Sequence, residues 1–484
     1  MTAQDLTALL PFIVVSAACL VVLIATAVRR SHAVAGLVTV AGLTAAFGLL
    51  PAAASVAPRA IGASGAGALV VLDGYGLFFI GLILAASVAV AVLAYGYLDR
   101  QEEHREEFYI LLLVAVLGSM VLAASSHFVS FILGLEILSV ALYSMCAYLR
   151  DRAISLEAGI KYLVLAAASA AFLLFGMALI YAEFGTMNFS YLAAQMTAGA
   201  YPDRALVAGG LALMITGFGF KLALAPFHLW TPDIYEGAPA PVTAFVASVS
   251  KGAMFALLLR YFSSTSAARL HGVFLVFAVI AATSMIAGNL LALLQNNLKR
   301  ILAYSSIAHM GYVLVAFLAA GDLGPEAVTF YLVAYFITTL MAFGVVAVLS
   351  PAERDADRLE DVEGLFWRRP VLGALLTLAL LSLAGIPATA GFFAKFYIVA
   401  AGASSGIWRL IVLLVVTSVA GLFYYLRVLV AVYSQPAESA EPAPRLPLAS
   451  GVVLALLGIL IVWLGVFPGR VLETVQLAVA SLRF

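Results

Sequence analysis

Apolar residues run along this chain in blocks of about twenty, each ending at a short patch of charge, proline or glycine. A helix rising about 1.5 Å per residue needs about that length to cross a hydrocarbon core of roughly 30 Å. The blocks predict spans at 8–28, 34–54, 75–97, 108–125, 128–149, 159–182, 205–226, 241–262, 271–295, 300–320, 327–349, 371–398, 407–433 and 447–467. No run alternates polar and apolar positions as a barrel strand would, so every span is read as helix. An even number of crossings puts both chain ends on one side.

Composition agrees with this pattern. At 64% hydrophobic and 10% charged residues, the chain has too much apolar surface to hide in a water-soluble core. The fold class is therefore an all-α integral membrane protein lying in a lipid bilayer. The first block, Ala8 to Val28, has no basic leader before it and a second span after it, so it is expected to be retained rather than cleaved. A formal charge of zero gives no reason to expect a nucleic-acid partner. Cys19 and Cys146 both lie inside blocks, which argues against a disulfide framework or a metal site.

The connections after odd-numbered spans hold about twice the loop Lys and Arg of the others, which predicts that they face the cytoplasm and that both termini face the periplasm. Among them, "SPAERDADRLEDVEGLFWRRP", Ser350 to Pro370, reads as a solvated loop, with a docking surface as the alternative. "SQPAESAEPAPRLP", Ser434 to Pro447, reads as an extended Pro-rich connector.

Lysine changes the picture. The chain has twenty arginines and five lysines. Arginine sits in loops and at span edges, whereas Lys161, Lys221, Lys251 and Lys395 fall inside apolar spans and only Lys299 reads as a loop residue. Each such charge costs about 2.5 kcal/mol or more on insertion scales. Arginine keeps its proton, while a buried lysine can release one. Lys251 follows Pro241 by about 15 Å of helix, too deep for easy snorkelling. Glu136 is the only carboxylate deep in a span, so a lysine is its natural counter-ion. Lys161 has Glu157 one turn earlier, and a helix-start salt bridge competes as its explanation. His228 and His309 can pass protons near neutral pH, although a buried histidine is more often structural. A row of such groups makes a proton path.

Two interior prolines mark helix breaks. Pro226 would clash with the Leu222 carbonyl in the span of Lys221, and Pro387 interrupts the span of Lys395. These are the seventh and twelfth spans, and broken helices at matching places predict two inverted repeats with their sites at the breaks.

The stretch "KLALAPFHLWTPDIYEGAPAPVTAFVASVSKGAMFALLLR", Lys221 to Arg260, resembles the antiporter-like membrane subunits of respiratory complex I, the subunit N branch most closely. "LGLEILSVALYSM" around Glu136, "EAGIKYLVLAAASAAFLLFG" around Lys161, "NNLKRILAYSSIAHMGY" around Lys299 and His309, and "SLAGIPATAGFFAKF" around Lys395 follow in the family's order. The resemblance implies two inverted five-helix bundles, spans 4–8 and 9–13. Residues 1–100 would flank the first (108–262), and 447–484 would follow the second (271–433). It implies that Glu136 pairs with Lys221, that Lys161 and Lys251 continue the path, and that Lys395 ends it. It also implies a proton-translocating subunit of NADH:quinone oxidoreductase in a bacterial inner membrane. FMN, iron–sulfur clusters and quinone would then belong to partner subunits, next to other antiporter-like and small membrane subunits. The competing readings are a multi-chain cation/proton antiporter or related hydrogenase, a solute transporter and a structural anchor.

Overall fold

Segments this apolar have no water to satisfy their backbone, so they close their hydrogen bonds within helices. The computed structural model describes residues 2–62, 67–100, 105–198, 203–265, 271–435 and 446–483. Helix α1 (Ala3–Ala8) leads into α2 (Leu10–Val28), and α3 (His32–Gly48) with α4 (Leu50–Ala54) makes one bent span. A small antiparallel hairpin, β1 (Arg59–Ile61) and β2 (Val70–Leu72), precedes α5 (Gly74–Leu98). There follow α6 (Glu107–Ala124), α7 (Phe128–Cys146), α8 (Ala153–Phe184), the short α9 (Phe189–Ala198) and α10 (Arg204–Lys221). After α11 (Trp230–Gly237), one long span is built from α12 (Ala240–Phe245), a π-helical turn (Val246–Ser250) and α13 (Lys251–Thr265). Next come α14 (His271–Leu293), α15 (Leu298–Phe317), α16 (Leu323–Leu349) and the short α17 (Leu365–Arg368). The chain ends with α18 (Pro370–Ala384), α19 (Ala390–Ser404), α20 (Trp408–Tyr433), α21 (Leu448–Val466) and α22 (Gly469–Ala480).

Among the described residues, 13 helical segments are long and apolar enough to cross a membrane. The expected twelfth span is instead two shorter apolar helices, α18 and α19, separated by Gly385–Thr389. The protein is thus a multi-pass membrane protein in which thirteen of the fourteen predicted spans are single spans and the twelfth is divided. The seventh span is shorter than the predicted 205–226. α10 stops at Lys221, Leu222 caps it, and the chain runs unwound to Trp230. The boundary falls where the clash argument put it, four residues before Pro226. Of the Pro-rich connector expected at Ser434–Pro447, residues 436–445 lie outside the described residues.

Packing recurs along the chain. α6 packs on α7 and α13, and α14 packs on α15 and α20. Both first pairs need glycine. A Cβ on Gly118 would lie 2.5 Å from the Leu138 nitrogen, and one on Gly288 would lie 2.6 Å from the Ala308 nitrogen. The span α12–α13 is enclosed on all sides and α15 and α16 nearly so, whereas α2, α3, α8 and α21 leave most of their residues partly or fully exposed. The centre of the bundle is therefore the span that carries Lys251.

The connections after odd-numbered spans gather at one end of the molecule. Arg30 bonds Glu107 at 2.7 Å, Arg100 bonds the Val348 carbonyl at 3.0 Å, and Arg152 bonds Asp355 at 3.1 Å. This end also holds the segment Ser350–Pro370, which is not the solvated loop expected of so charged a run. Asp355 is buried, accepts from the Tyr97 hydroxyl at 2.6 Å and pairs with Lys299 at 2.7 Å. The Ala356 N–H donates to Ser350 Oγ and the Leu298 N–H to the Asp357 carbonyl, so the segment is a strap tied across the helix ends.

Candidate functional site

The last turn of α10 carries Lys221 into the bundle. Its Nζ donates to Ser139 Oγ at 3.0 Å and to the Tyr162 hydroxyl at 3.1 Å. Tyr162 stacks on Trp230, whose Nε1 donates to the Phe220 carbonyl, so the helix that resumes after the break is tied back to its end. Glu136 does not form the expected ion pair with Lys221. No carboxylate lies within ion-pair distance of Lys221 among the described residues. Ser139 takes that place, one turn beyond Glu136 on α7. Glu136 is half-buried, turned toward the flank where Leu133, Ile137 and Val140 are exposed. It does line one small cavity with Ser139 and Lys221, with room for about one water.

Lys161 forms the helix-start salt bridge with Glu157 that competed with its place in the path. Its side chain is 41% exposed and held by Glu157 at 2.7 Å and Asp233 at 2.8 Å. Asp233 also accepts from Arg300 at 2.9 Å, and Glu236 from Arg300 at 2.7 Å. Asp233 and Glu236 are therefore knotted into an ion-pair cluster. Burial pushes the Asp233 carboxyl up, but Lys161 and Arg300 outweigh it and hold the group below its ordinary value.

Lys299, read as a loop residue, has a fully buried side chain. Its ammonium donates to the Glu236 carbonyl at 2.8 Å, to the Ala238 carbonyl at 2.6 Å and to Asp355 at 2.7 Å. It thus ties the strap to the joint between α11 and α12. The rule that places the other lysines inside the bundle would have placed this one too, had its neighbour Arg300 not made the stretch look like a loop. Burial pushes Asp355 up, but the Lys299 ammonium, hydrogen bonds from Lys299 and Tyr97, and Arg152 leave its carboxyl below the ordinary 3.8.

Pro239 precedes and Pro241 opens the next span, as their fixed φ suits. The π-helical turn then delivers Lys251 to the core. Its Nζ donates to Ser306 Oγ at 2.5 Å and lies 5.5 Å from the centre of the Tyr235 ring. Lys395 closes the other break. It donates to the Leu383 and Ala384 carbonyls, both at 2.9 Å, and to Ser418 Oγ at 2.8 Å, which satisfies carbonyls that α18 leaves open at its end. Gly385 turns the chain there at φ 85°, and a Cβ on it would meet the Lys395 side chain at 2.9 Å.

The two histidines differ. His228 is buried in the unwound stretch after α10, and neither ring nitrogen has a hydrogen-bond partner among the described residues. His309 is buried on α15 between the Tyr331 and Tyr425 hydroxyls. Sequence reasoning missed Ser139, Tyr162, Ser306, Tyr331 and Tyr425, since a serine or tyrosine in an apolar span carries no signal of its own.

The partners sort the lysines chemically. A hydroxyl can accept from an ammonium and donate to an amine, so it serves both protonation states, whereas a carbonyl or carboxylate only accepts. Among the described residues, Lys221 and Lys251 have hydroxyl partners alone, while Lys299 has only acceptors.

The site is thus a helical membrane bundle with buried lysines beside two interrupted helices. The family profile described as "NADH:quinone oxidoreductase/Mrp antiporter, TM" matches residues 125–421. NADH-quinone oxidoreductase subunit N of Methylococcus capsulatus is 47% identical over 98% of this chain and 95% of its own length. The protein of the same description from Ectopseudomonas mendocina is also 47% identical, over 98% and 97%. A chain of respiratory complex I from Thermus thermophilus with bound aureothin superposes with a TM-score of 0.81 at 35% identity, covering 96% of this chain and 98% of that one. A chain of the Mrp complex from Dietzia sp. reaches 0.87 at 21% identity over 100% and 98%, which speaks to the fold alone. This chain belongs to the NADH:quinone oxidoreductase/Mrp antiporter membrane family, on the NADH-quinone oxidoreductase subunit N branch.

Proposed function

We propose that this chain is a proton-translocating membrane subunit of NADH:quinone oxidoreductase, and that Glu136, Lys161, Lys221, Lys251, His309 and Lys395 form its proton path. The observation that carries the reading is the pair of buried lysines, Lys221 and Lys251, held by hydroxyls alone. Neutral two-way partners let a lysine gain and lose its proton without losing its contacts. Glu136 and Lys221, sharing one cavity, exchange a proton through water rather than by direct contact. Lys161, fixed by the carboxylates of its ion-pair cluster, sets the positive charge at the entry of the path, at the end that holds the odd connections. His228, lacking a fixed partner, relays beside the break at Pro226. Lys395 at the break before α19 delivers to the opposite side.

Spans 4–8 and 9–13 form two inverted repeats in this reading, which the recurring helix neighbours support. The odd connections face the cytoplasm of a bacterial cell and the termini face the periplasm. The electron carriers, FMN and iron–sulfur clusters, and the quinone belong to partner subunits in the membrane complex. The 47% identity to subunit N favours this over a cation/proton antiporter. Purifying the complex through this chain tests the reading: flavin and iron–sulfur absorbance should copurify, and Lys251→Ala should lower NADH-driven proton pumping. A complex without those chromophores would make the chain an antiporter subunit, and full pumping by the variant would make it an anchor.

A further inference from the structure

A string of hydroxyls meets at His309, and apolar packing does not call for it. Its Nδ1 lies 2.7 Å from the Tyr331 hydroxyl on α16, and its Nε2 lies 3.2 Å from the Tyr425 hydroxyl on α20. Tyr425 in turn bonds Ser305, four residues before His309 on α15. Phenylalanine would fill the same space without needing polar partners, so burying these hydroxyls around one imidazole calls for an explanation beyond packing.

The string has lysines at both sides. Toward Lys251, Ser306 Oγ accepts from Tyr335 at 2.7 Å and from Lys251 at 2.5 Å. Tyr335 lies one turn from Tyr331 on α16, and both line with His309 a small cavity with room for about one water. Toward Lys395, the Tyr312 ring lies 5.5 Å from the His309 ring and 5.4 Å from Lys395 Nζ. Asn289 holds that side, donating to the Tyr312 hydroxyl at 2.8 Å and accepting from Tyr424 at 3.1 Å.

We propose that Tyr331 and Tyr425 conduct protons to and from His309, which hands each proton on by exchanging one tautomer for the other. The proposal rests on the proton-translocating function argued above. A neutral imidazole has one N–H and one lone pair, so one tyrosine donates to it while the other accepts from it. In the forward step the Tyr331 hydroxyl proton moves to Nδ1 and the Nε2 proton moves to the Tyr425 oxygen. The Tyr425 hydroxyl proton then moves to Ser305 Oγ. One proton enters at the Tyr331 oxygen from the cavity, and one leaves Ser305 Oγ for the neighbouring Tyr424 hydroxyl. No charge stays behind, and His309 is left as the opposite tautomer. A second proton cannot follow until the hydroxyls rotate and the tautomer resets, so the string passes protons singly and passes no ion that lacks one.

The test compares Tyr331→Phe and Tyr425→Phe with Tyr75→Phe, another buried tyrosine, whose hydroxyl bonds only the Ala256 carbonyl among the described residues. Each is made in the whole complex and read in inverted membrane vesicles, with pumping normalised to assembled complex. Both string variants should lose proton pumping several-fold while Tyr75→Phe keeps it. String variants that pump like the parent, beside a Lys251→Arg variant that does not, overturn the proposal and leave the function standing. If Lys251→Arg also pumps normally, the function falls with it. Should a phenylalanine variant fail to assemble, His309→Gln decides, because its amide can bond both hydroxyls but has no second tautomer. That variant should assemble and fail to pump, and one that pumps overturns the proposal.

Discussion

At the scale of residues, what distinguishes one buried lysine from another is what it touches. Lys299 donates only to carbonyls and a carboxylate, so it is a fixed cation that fastens a joint. Among the described residues, Lys221 donates only to the hydroxyls of Ser139 and Tyr162, which can also donate to it. If Lys221 cycles its proton through the cavity it shares with Glu136, then Lys221→Ala and Glu136→Ala should each reduce quinone-coupled proton transfer while the complex still assembles. Normal pumping in both, measured in vesicles, would end the shared-cavity account. Lys221, Lys251 and Lys395 were legible because an apolar run makes a charge conspicuous, and Lys161 was legible only through the Glu157 one turn before it. Lys299 was not, since Asn297, Lys299 and Arg300 together imitate a loop. The direct contact between Glu136 and Lys221 was an overreach, because residue spacing cannot tell an ion pair from two groups around one cavity.

At the scale of elements, the breaks matter more than the helices. Most span boundaries were legible to within a few residues, although α8 begins six residues before the expected 159, because about twenty apolar residues between polar patches leave a helix few choices. Both breaks were announced by proline. How each break satisfies its open carbonyls was not legible, since that depends on partners brought in from elsewhere, as Lys395 and Ser418 are at the end of α18. Gly385 makes that arrangement possible through its left-handed turn and its missing Cβ. Gly385→Ala should cost about 1 kcal/mol or more from the backbone alone. It also crowds the Lys395 side chain, so a lower thermal midpoint of the complex should come with weaker pumping. An unchanged midpoint would show that the turn does not depend on glycine.

At the scale of the whole molecule, one end is cross-linked by charge and the centre is held by hydroxyls. The strap around Asp355 joins the ends of α5, α8, α15 and α16. Its burial was hidden in the sequence, because a run of acids and arginines looks the same whether solvated or paired. The Asp355 carboxyl is held below 3.8 in the folded protein. Its contribution is therefore complete above that pH and fades as pH falls through the lowered value. Asp355→Asn should destabilise the protein by about 3 kcal/mol at neutral pH, as breaking a buried pair does. The difference in thermal midpoint from the parent should shrink in acid below pH 3.8, and a gap that stays constant there would contradict the assignment.

The central claim is that Lys251, enclosed at the core of the bundle and bonded to a hydroxyl, works by releasing a proton rather than by being positive. Lys251→Arg keeps the charge and removes the release. In inverted vesicles holding the assembled complex, the initial rate of NADH-driven proton uptake measures the difference directly. The account predicts that the arginine variant assembles and pumps poorly; an arginine variant that pumps at the parent rate would contradict it.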